Sequence, residues 1–367
     1  MNAHRPTLRR FVAAVVLSAL LSAATAQALT FTQTVNMNGN PVTNVATPTS
    51  GSPSSQAATK GYVDIVSHNM GGGGCTRYVC AAAPTGGDGS LALPWDSLYA
   101  LTNNSGGVLN NTTVIVLPGT YYTDSEIAFG PGYTNLTVTG LDAVNTRVIS
   151  LNNNTRIFNV QDVSGVAIQC LALTSTNNSG HGGAVFLGNG GIVRECLFVE
   201  CSTSAGGNCG GAVFAHGTAL VERCQFTRNS AAQAGALYLE AHGARAEQCV
   251  FVQNSSTEMG GAIVCQTNCT VRQSRFENNS SSFNGGAVIM WQGGTLQDSE
   301  LTGNSAFTGG SAVYCNWGGT IQNCSIIRGD GALNSVTSFG SGSKWMSVWT
   351  NSLNDNCYVV YATDLNN

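Results

Sequence analysis

From residue 110 to residue 330 the apolar positions fall in short runs of Val, Ile, Leu and Phe separated by Gly, Asn and Ser. The three-to-four spacing of an amphipathic helix is missing there, whereas β-branched runs ended by turn residues read as strands. Thr113-Val-Ile-Val-Leu-Pro-Gly-Thr-Tyr121 is a strand followed by a turn. Trp95 to Leu101 alone reads as a helical piece, placed to cap a stack of strands.

The runs repeat. Ala184, Ala212, Ala236, Ala262, Ala287 and Ala312 each follow small residues, mostly Gly-Gly, at spacings of 28, 24, 26, 25 and 25. Phe198, Phe226, Phe251, Phe276 and Leu301 keep step, with Asn229, Asn254, Asn279 and Asn304 three residues after the last four. A fixed period of this length marks a solenoid whose units stack on one another. The Leu and Asn pattern of leucine-rich repeats is absent, so the expected fold is an all-β parallel β-helix of about 25 residues per coil.

Parity gives the cross-section. In Val221-Glu-Arg-Cys224, positions 221 and 224 cannot share a face of one straight strand, because faces alternate with period two. A corner therefore lies between them, and the offset recurs at Val193/Cys196, Ala246/Cys249, Val271/Ser274, Leu296/Ser299 and Ile321/Cys324. The Cys/Ser column reads as small inward packing residues. The Asn column is expected to adopt the left-handed conformation of a sharp corner and to link its amides from coil to coil. Corner charges align as Arg194 over Glu222, Glu195 over Arg223 and Glu247 over Arg272.

After each repeat Ala, Val185, Val213, Leu237, Ile263, Val288 and Val313 share one parity with Leu187, Ala215, Leu239, Cys265, Met290 and Cys315, so both columns face inward. The column between them, Phe186, Phe214, Tyr238, Val264, Ile289 and Tyr314, must point outward. An apolar outer stripe of that length is expected either to bind a glycan or protein ligand or to be covered by a terminal segment of the chain.

Arg77-Tyr-Val, Gly86-Gly-Asp-Gly-Ser90, Pro94-Trp95 and the Pro118-Gly-Thr-Tyr121 turn resemble the opening coils of secreted pectate-lyase-like proteins. That likeness implies a right-handed parallel β-helix. The paired Gly-Gly-Ala and Phe-x-x-Asn motifs over residues 182–327 resemble the repeats of chlamydial polymorphic outer membrane proteins, implying surface display and adhesion. Fewer than forty residues follow Asp330, too few for the membrane barrel that carries such repeats. Val35-Asn-Met-Asn-Gly-Asn-Pro-Val-Thr-Asn-Val-Ala-Thr-Pro48 and Ala57-Ala-Thr-Lys-Gly-Tyr-Val-Asp64 resemble a phage tail-fibre repeat. By that resemblance residues 31–70 form a shaft that makes a homotrimer; otherwise they are a polar tether.

Charge and export narrow the function. Charged residues are 9% of the chain and the formal net charge is -4, which leaves no basic footprint for nucleic acid. Arg5, Arg9 and Arg10 before the apolar run 11–21, with Ala26-Gln-Ala28, read as a signal peptide over 1–28. No run is long enough for a transmembrane anchor, so a secreted or cell-surface location is expected. An oxidising compartment permits disulfides, and Cys75/Cys80, Cys201/Cys209 and Cys265/Cys269 are neighbours in sequence. Zinc at Cys265-Gln-Thr-Asn-Cys269 lacks a second ligand pair, and no metal or cofactor is expected.

Glu222 and Glu247, one coil apart at the same corner, are the weak catalytic alternative as a retaining carboxylate pair, although neighbouring arginines argue for charge balance. His216 and His242 recur near one turn, with Glu240 nearby, but no third metal ligand is evident. The chain is thus expected to comprise the signal peptide, a tail-fibre-like segment and Gly-rich linker over 29–74, a β-helix over 75–330, and a cap or tail over 331–367. Its expected role is binding, adhesion or structure. A polysaccharide lyase or glycoside hydrolase is the alternative, and a fibre-like assembly component the third reading.

Overall fold

The computed structural model describes residues 75–331, except 104–106, 153, 177, 205 and 241–242, together with strands at 36–37, 40–41, 336–339, 344–346, 348–351 and 357–360. The chain divides into two units, Met1–Ile65 and Val66–Asn367. In the first, Asn36–Met37 pairs antiparallel with Asn40–Pro41. The signal-peptide and trimer expectations otherwise fall outside the described residues.

The second unit is a parallel β-solenoid of three sheets to which successive coils add strands, some adding two to the second sheet, such as Gln225–Thr227 and Ser230–Gln233. The first sheet has eleven strands and begins Cys75–Val79, Thr112–Val116, Thr137–Gly140. The second begins Gly119–Thr123 and Thr146–Ser150, and the third, of nine strands, begins Ile127–Phe129 and Phe158–Val160. Register is continuous: Val185 pairs with Val213, Val213 with Leu237, Leu237 with Ile263 and Ile263 with Val288. At the amino-terminal end Trp95 bridges to Val79, and the one-turn helix Ala100–Asn103 follows; Trp95, Leu98 and Leu101 close over the core.

The corners lie where parity put them. Glu195, Arg223, Gln248, Gln273, Asp298 and Asn323 carry φ of 51–55° between the first and second sheets. Val193, Val221, Ala246, Val271, Leu296 and Ile321 on one side, and the Cys196-to-Cys324 column on the other, are buried. Phe198, Phe226, Phe251 and Phe276 stack with centroids 4.8 Å apart and planes within 6°. That separation equals the rung spacing, so the rings follow the backbone repeat.

The second corner corrects the sequence reading. The left-handed residues are Arg228, Gln253, Asn278 and Gly303, one before each Asn. Asn229, Asn254, Asn279 and Asn304 turn inward, fully buried. Each of the first three donates from Nδ2 to the next Oδ1 at 2.9 Å. Burial decides this: an exposed left-handed position accepts many polar residues, whereas a buried side-chain amide can donate two hydrogen bonds and accept two along the axis.

The repeat glycines have separate tasks. The first of each pair sits at positive φ, as at Gly260 (φ 68), and in one coil Ala234 stands there at φ 56. A Cβ on the second, Gly261, would overlap the Gly286 carbonyl oxygen and lie 2.5 Å from that of Ser280. Gly261→Ala should therefore cost about 3 kcal/mol or more, while Ala234→Gly should change stability by less than about 1 kcal/mol, relief of left-handed strain being offset by loss of a buried methyl. Urea unfolding of both variants checks the difference.

None of the three proposed cysteine pairs is bridged by a disulfide. Cys75 and Cys80 are five residues apart along an extended strand, roughly 16 Å. Cys201 faces the main core while Cys209 belongs to a separate outer cluster. Cys265 and Cys269 both face the core as unbridged thiols, and Cys269 Sγ donates to the Leu239 carbonyl at 3.4 Å. Burial pushes the Cys201 thiol up to about 12 and Cys324 to about 11, which keeps both unreactive.

Beyond residue 330, where a cap or tail was expected, further strands join the stack. Val336–Phe339 joins the third sheet, Lys344–Met346 the first and Val348–Asn351 the second. Cys357–Val360 then returns antiparallel. The strands containing Trp345 and Trp349 extend the stack, and that containing Tyr358 turns back. Among the described residues no helix is long and apolar enough to cross a membrane.

Candidate functional site

The outer face of the third sheet carries two parallel columns. The apolar one is in register as expected: Phe186 pairs with Phe214, Phe214 with Tyr238, Tyr238 with Val264, Val264 with Ile289 and Ile289 with Tyr314. It is not an open stripe. Phe214, Tyr238, Val264 and Ile289 are no more than 6% exposed. They form a second apolar cluster with Cys209 and Ala234, against which Met259 packs. Among the described residues the cover is the chain between the Asn column and the next Gly-Gly, including Ser230–Gln233 and Ser255–Met259, which pair with each other. Phe186 and Tyr314, at the two ends, remain half-exposed.

The second column, two residues on, is polar. Continuing the sheet register, it runs Gln161, Gly188, His216, and His216 pairs with Glu240. Gly188 has no side chain, so the column breaks between Gln161 and His216 and leaves a hollow of about 380 Å³. Phe186 and Phe214 line its back; their rings stack at 5.2 Å, with Tyr238 at 5.2 Å beyond Phe214, so edges rather than faces meet the hollow. The Arg156 guanidinium lies 5.3 Å over Phe186 and is held by Glu126 at 2.8 Å.

Two histidines face the hollow with different hydrogen-bond roles. His181 occupies the position that Cys209 fills one coil later, and its Nδ1 accepts from the Cys209 amide at 3.1 Å. Its Nδ1 being an acceptor, the proton sits on Nε2, which is a donor. The His181 ring also stacks on Phe214 at 4.9 Å. His216 places Nδ1 3.0 Å from Glu240 Oε2, so Nδ1 donates and the neutral ring offers Nε2 as an acceptor. Asp162 and Gln161, both exposed, complete the opposite wall.

Of the residues singled out from the sequence, the hollow gathers Phe186, Phe214, His216 and Glu240. His242 falls outside the described residues. His181, Asp162, Gln161 and Gly188 were missed; the detectable signal was the missing side chain at Gly188 in an otherwise filled column. Among the described residues no group of three or more His, Cys, Asp or Glu could hold a metal ion.

Glu222 and Glu247 are partners in an ionic ladder. Glu222 meets Arg194 at 3.1 Å and Arg223 at 3.0 Å, and Glu247 meets Arg272 at 2.6 Å. Arg223 also reaches Glu195 at 2.9 Å, and that hydrogen bond holds the Glu195 carboxyl below its ordinary range. Carboxylates so compensated are poor partners for acid and base roles. A second hollow of about 450 Å³ beside this corner is lined by exposed Gln248, Gln273, Arg275, Asp298 and Glu300 and is open to solvent.

No protein-family model and no curated protein matches the chain. Among solved structures it is similar to a rhamnogalacturonan lyase, at 10% identity over 70% of this chain and 75% of that one, with a TM-score of 0.50. It is also similar to a PL6 alginate lyase in complex with a trisaccharide, at 13% identity, 74% and 59% coverage and TM-score 0.41. A pectate lyase variant from Xanthomonas campestris follows at 12%, 66% and 77%, and 0.34. The outer-membrane-protein and tail-fibre resemblances remain likenesses of motif. At such identities the likeness is one of fold alone, that of a parallel β-helix.

Proposed function

We propose that this protein is a glycan-binding β-helix, secreted or displayed at a cell surface, which takes a sugar unit into the hollow over Gly188. The observation that carries the reading is the arrangement around that gap: aromatic edges at the back, a fixed donor at His181 and a fixed acceptor at His216. A mostly preformed concavity with a few oriented polar groups suits a small polar ring. The rest of the apolar column contributes stability instead, being covered by its own loops.

A polysaccharide lyase or glycoside hydrolase is the second reading. His216 held by Glu240 favours it, since a carboxylate-oriented imidazole is a common proton acceptor. Glu222 and Glu247 lend it nothing, being committed to arginines.

The test is a glycan array probed with the mature protein and with His216→Ala, accompanied by reducing-sugar and unsaturated-product assays. Binding lost by tenfold or more in the variant, with no product formed, is the expected outcome. Product formation abolished by His216→Ala would replace binding with catalysis, and an array without a hit would remove both readings.

A further inference from the structure

We infer that the sugar unit taken by the Gly188 hollow is neutral and hydroxyl-rich, not a uronate; this rests on the glycan-binding reading above. The charges around the hollow decide it. Asp162 and Glu240 bring carboxylates to its walls, and none of its lining residues is Lys or Arg. The Arg156 guanidinium, over Phe186, is compensated by Glu126 at 2.8 Å. His181 Nδ1 is occupied by the Cys209 amide, and Glu240 lies 3.0 Å from His216 Nδ1. Among the described residues Asp162 receives an amide, from Asn189 Nδ2 at 3.4 Å.

A uronate carboxylate entering this space would therefore meet like charge and no free cation, which is unfavourable in a partly enclosed site. Sugar hydroxyls fit the same groups. One donates to His216 Nε2 or to Asp162, and another accepts from His181 Nε2–H, so each fixed donor and acceptor finds a complement. Binding specificity at this site would then run opposite to the acidic chains named for several of the similar folds.

Affinity electrophoresis and calorimetry with galactan, mannan and xylan, set against polygalacturonate and alginate, give the test. At least one neutral polymer should bind ten times or more tighter than either polyuronate, and added salt should narrow that gap by screening. Asp162→Asn should narrow it too; Asp162 is exposed at φ 50, a conformation Asn accepts, and Glu240→Gln provides a second isosteric removal of charge. A polyuronate bound as tightly as the neutral polymers, or a gap unchanged in both variants and in salt, overturns the inference while leaving glycan binding in place. Failure of every polymer to bind overturns glycan binding together with it.

Discussion

Asn254→Ala is expected to lower unfolding stability by about 2 to 6 kcal/mol. The Asn254 amide donates to the Phe226 carbonyl at 3.0 Å and to Asn279 Oδ1 at 2.9 Å. Its oxygen accepts both the backbone N–H and the Nδ2 of Asn229 at 2.9 Å. All of these groups are buried, so truncation leaves the Asn229 N–H without an acceptor and takes a donor from the Phe226 carbonyl. Each orphaned group costs about 1 to 3 kcal/mol. Because Asn254 and Asn279 share a bond, the double Ala variant should lose less than the sum of the singles. Denaturant titration measures both, and a single-variant loss under about 1 kcal/mol would remove the ladder from the account of stability.

Phe251→Ala should cost about 3 to 5 kcal/mol. The ring is fully buried and stacked on Phe226 and Phe276 at 4.8 Å on either side, and the rigid rungs above and below cannot close over the cavity. Phe251→Leu should be much milder, because the same column already accepts Leu173 before Phe198 and Leu301 after Phe276. Hydrogen exchange should show the Ala variant opening first at the rungs next to residue 251, since each coil is held chiefly by its neighbours. Equal losses for Ala and Leu would mean that ring stacking, not filled volume, holds the column.

The period, the inward columns and the first corner were legible because each is local arithmetic. A stacked strand must repeat its burial pattern at every coil, and the odd offset between Val221 and Cys224 forces a bend at Arg223. The second corner was placed at the right turn but on the wrong residue. Asn is the habitual left-handed residue, yet here the chain gives that conformation to Arg228, Gln253 and Asn278 and keeps the amides for the interior. A conformational preference worth about a kilocalorie yields to four buried hydrogen bonds.

What lies against the outer column was not legible. Parity establishes that Phe214, Tyr238, Val264 and Ile289 point away from the main core, but it is silent on what meets them there. The cover comes from Cys209, Ala234 and Met259, residues of no common type in segments of varying length, so no periodic signal announces it. The same holds for the hollow. His181 and Asp162 reach Gly188 from different coils, and their nearness depends on how the loops close. The sequence by itself determined the solenoid, its rung length and its inward face, because stacking repeats one pattern and repetition is visible in one dimension. Only the tertiary structure decided which outward residues are buried and where a ligand has room, because those depend on distances between segments that share no period.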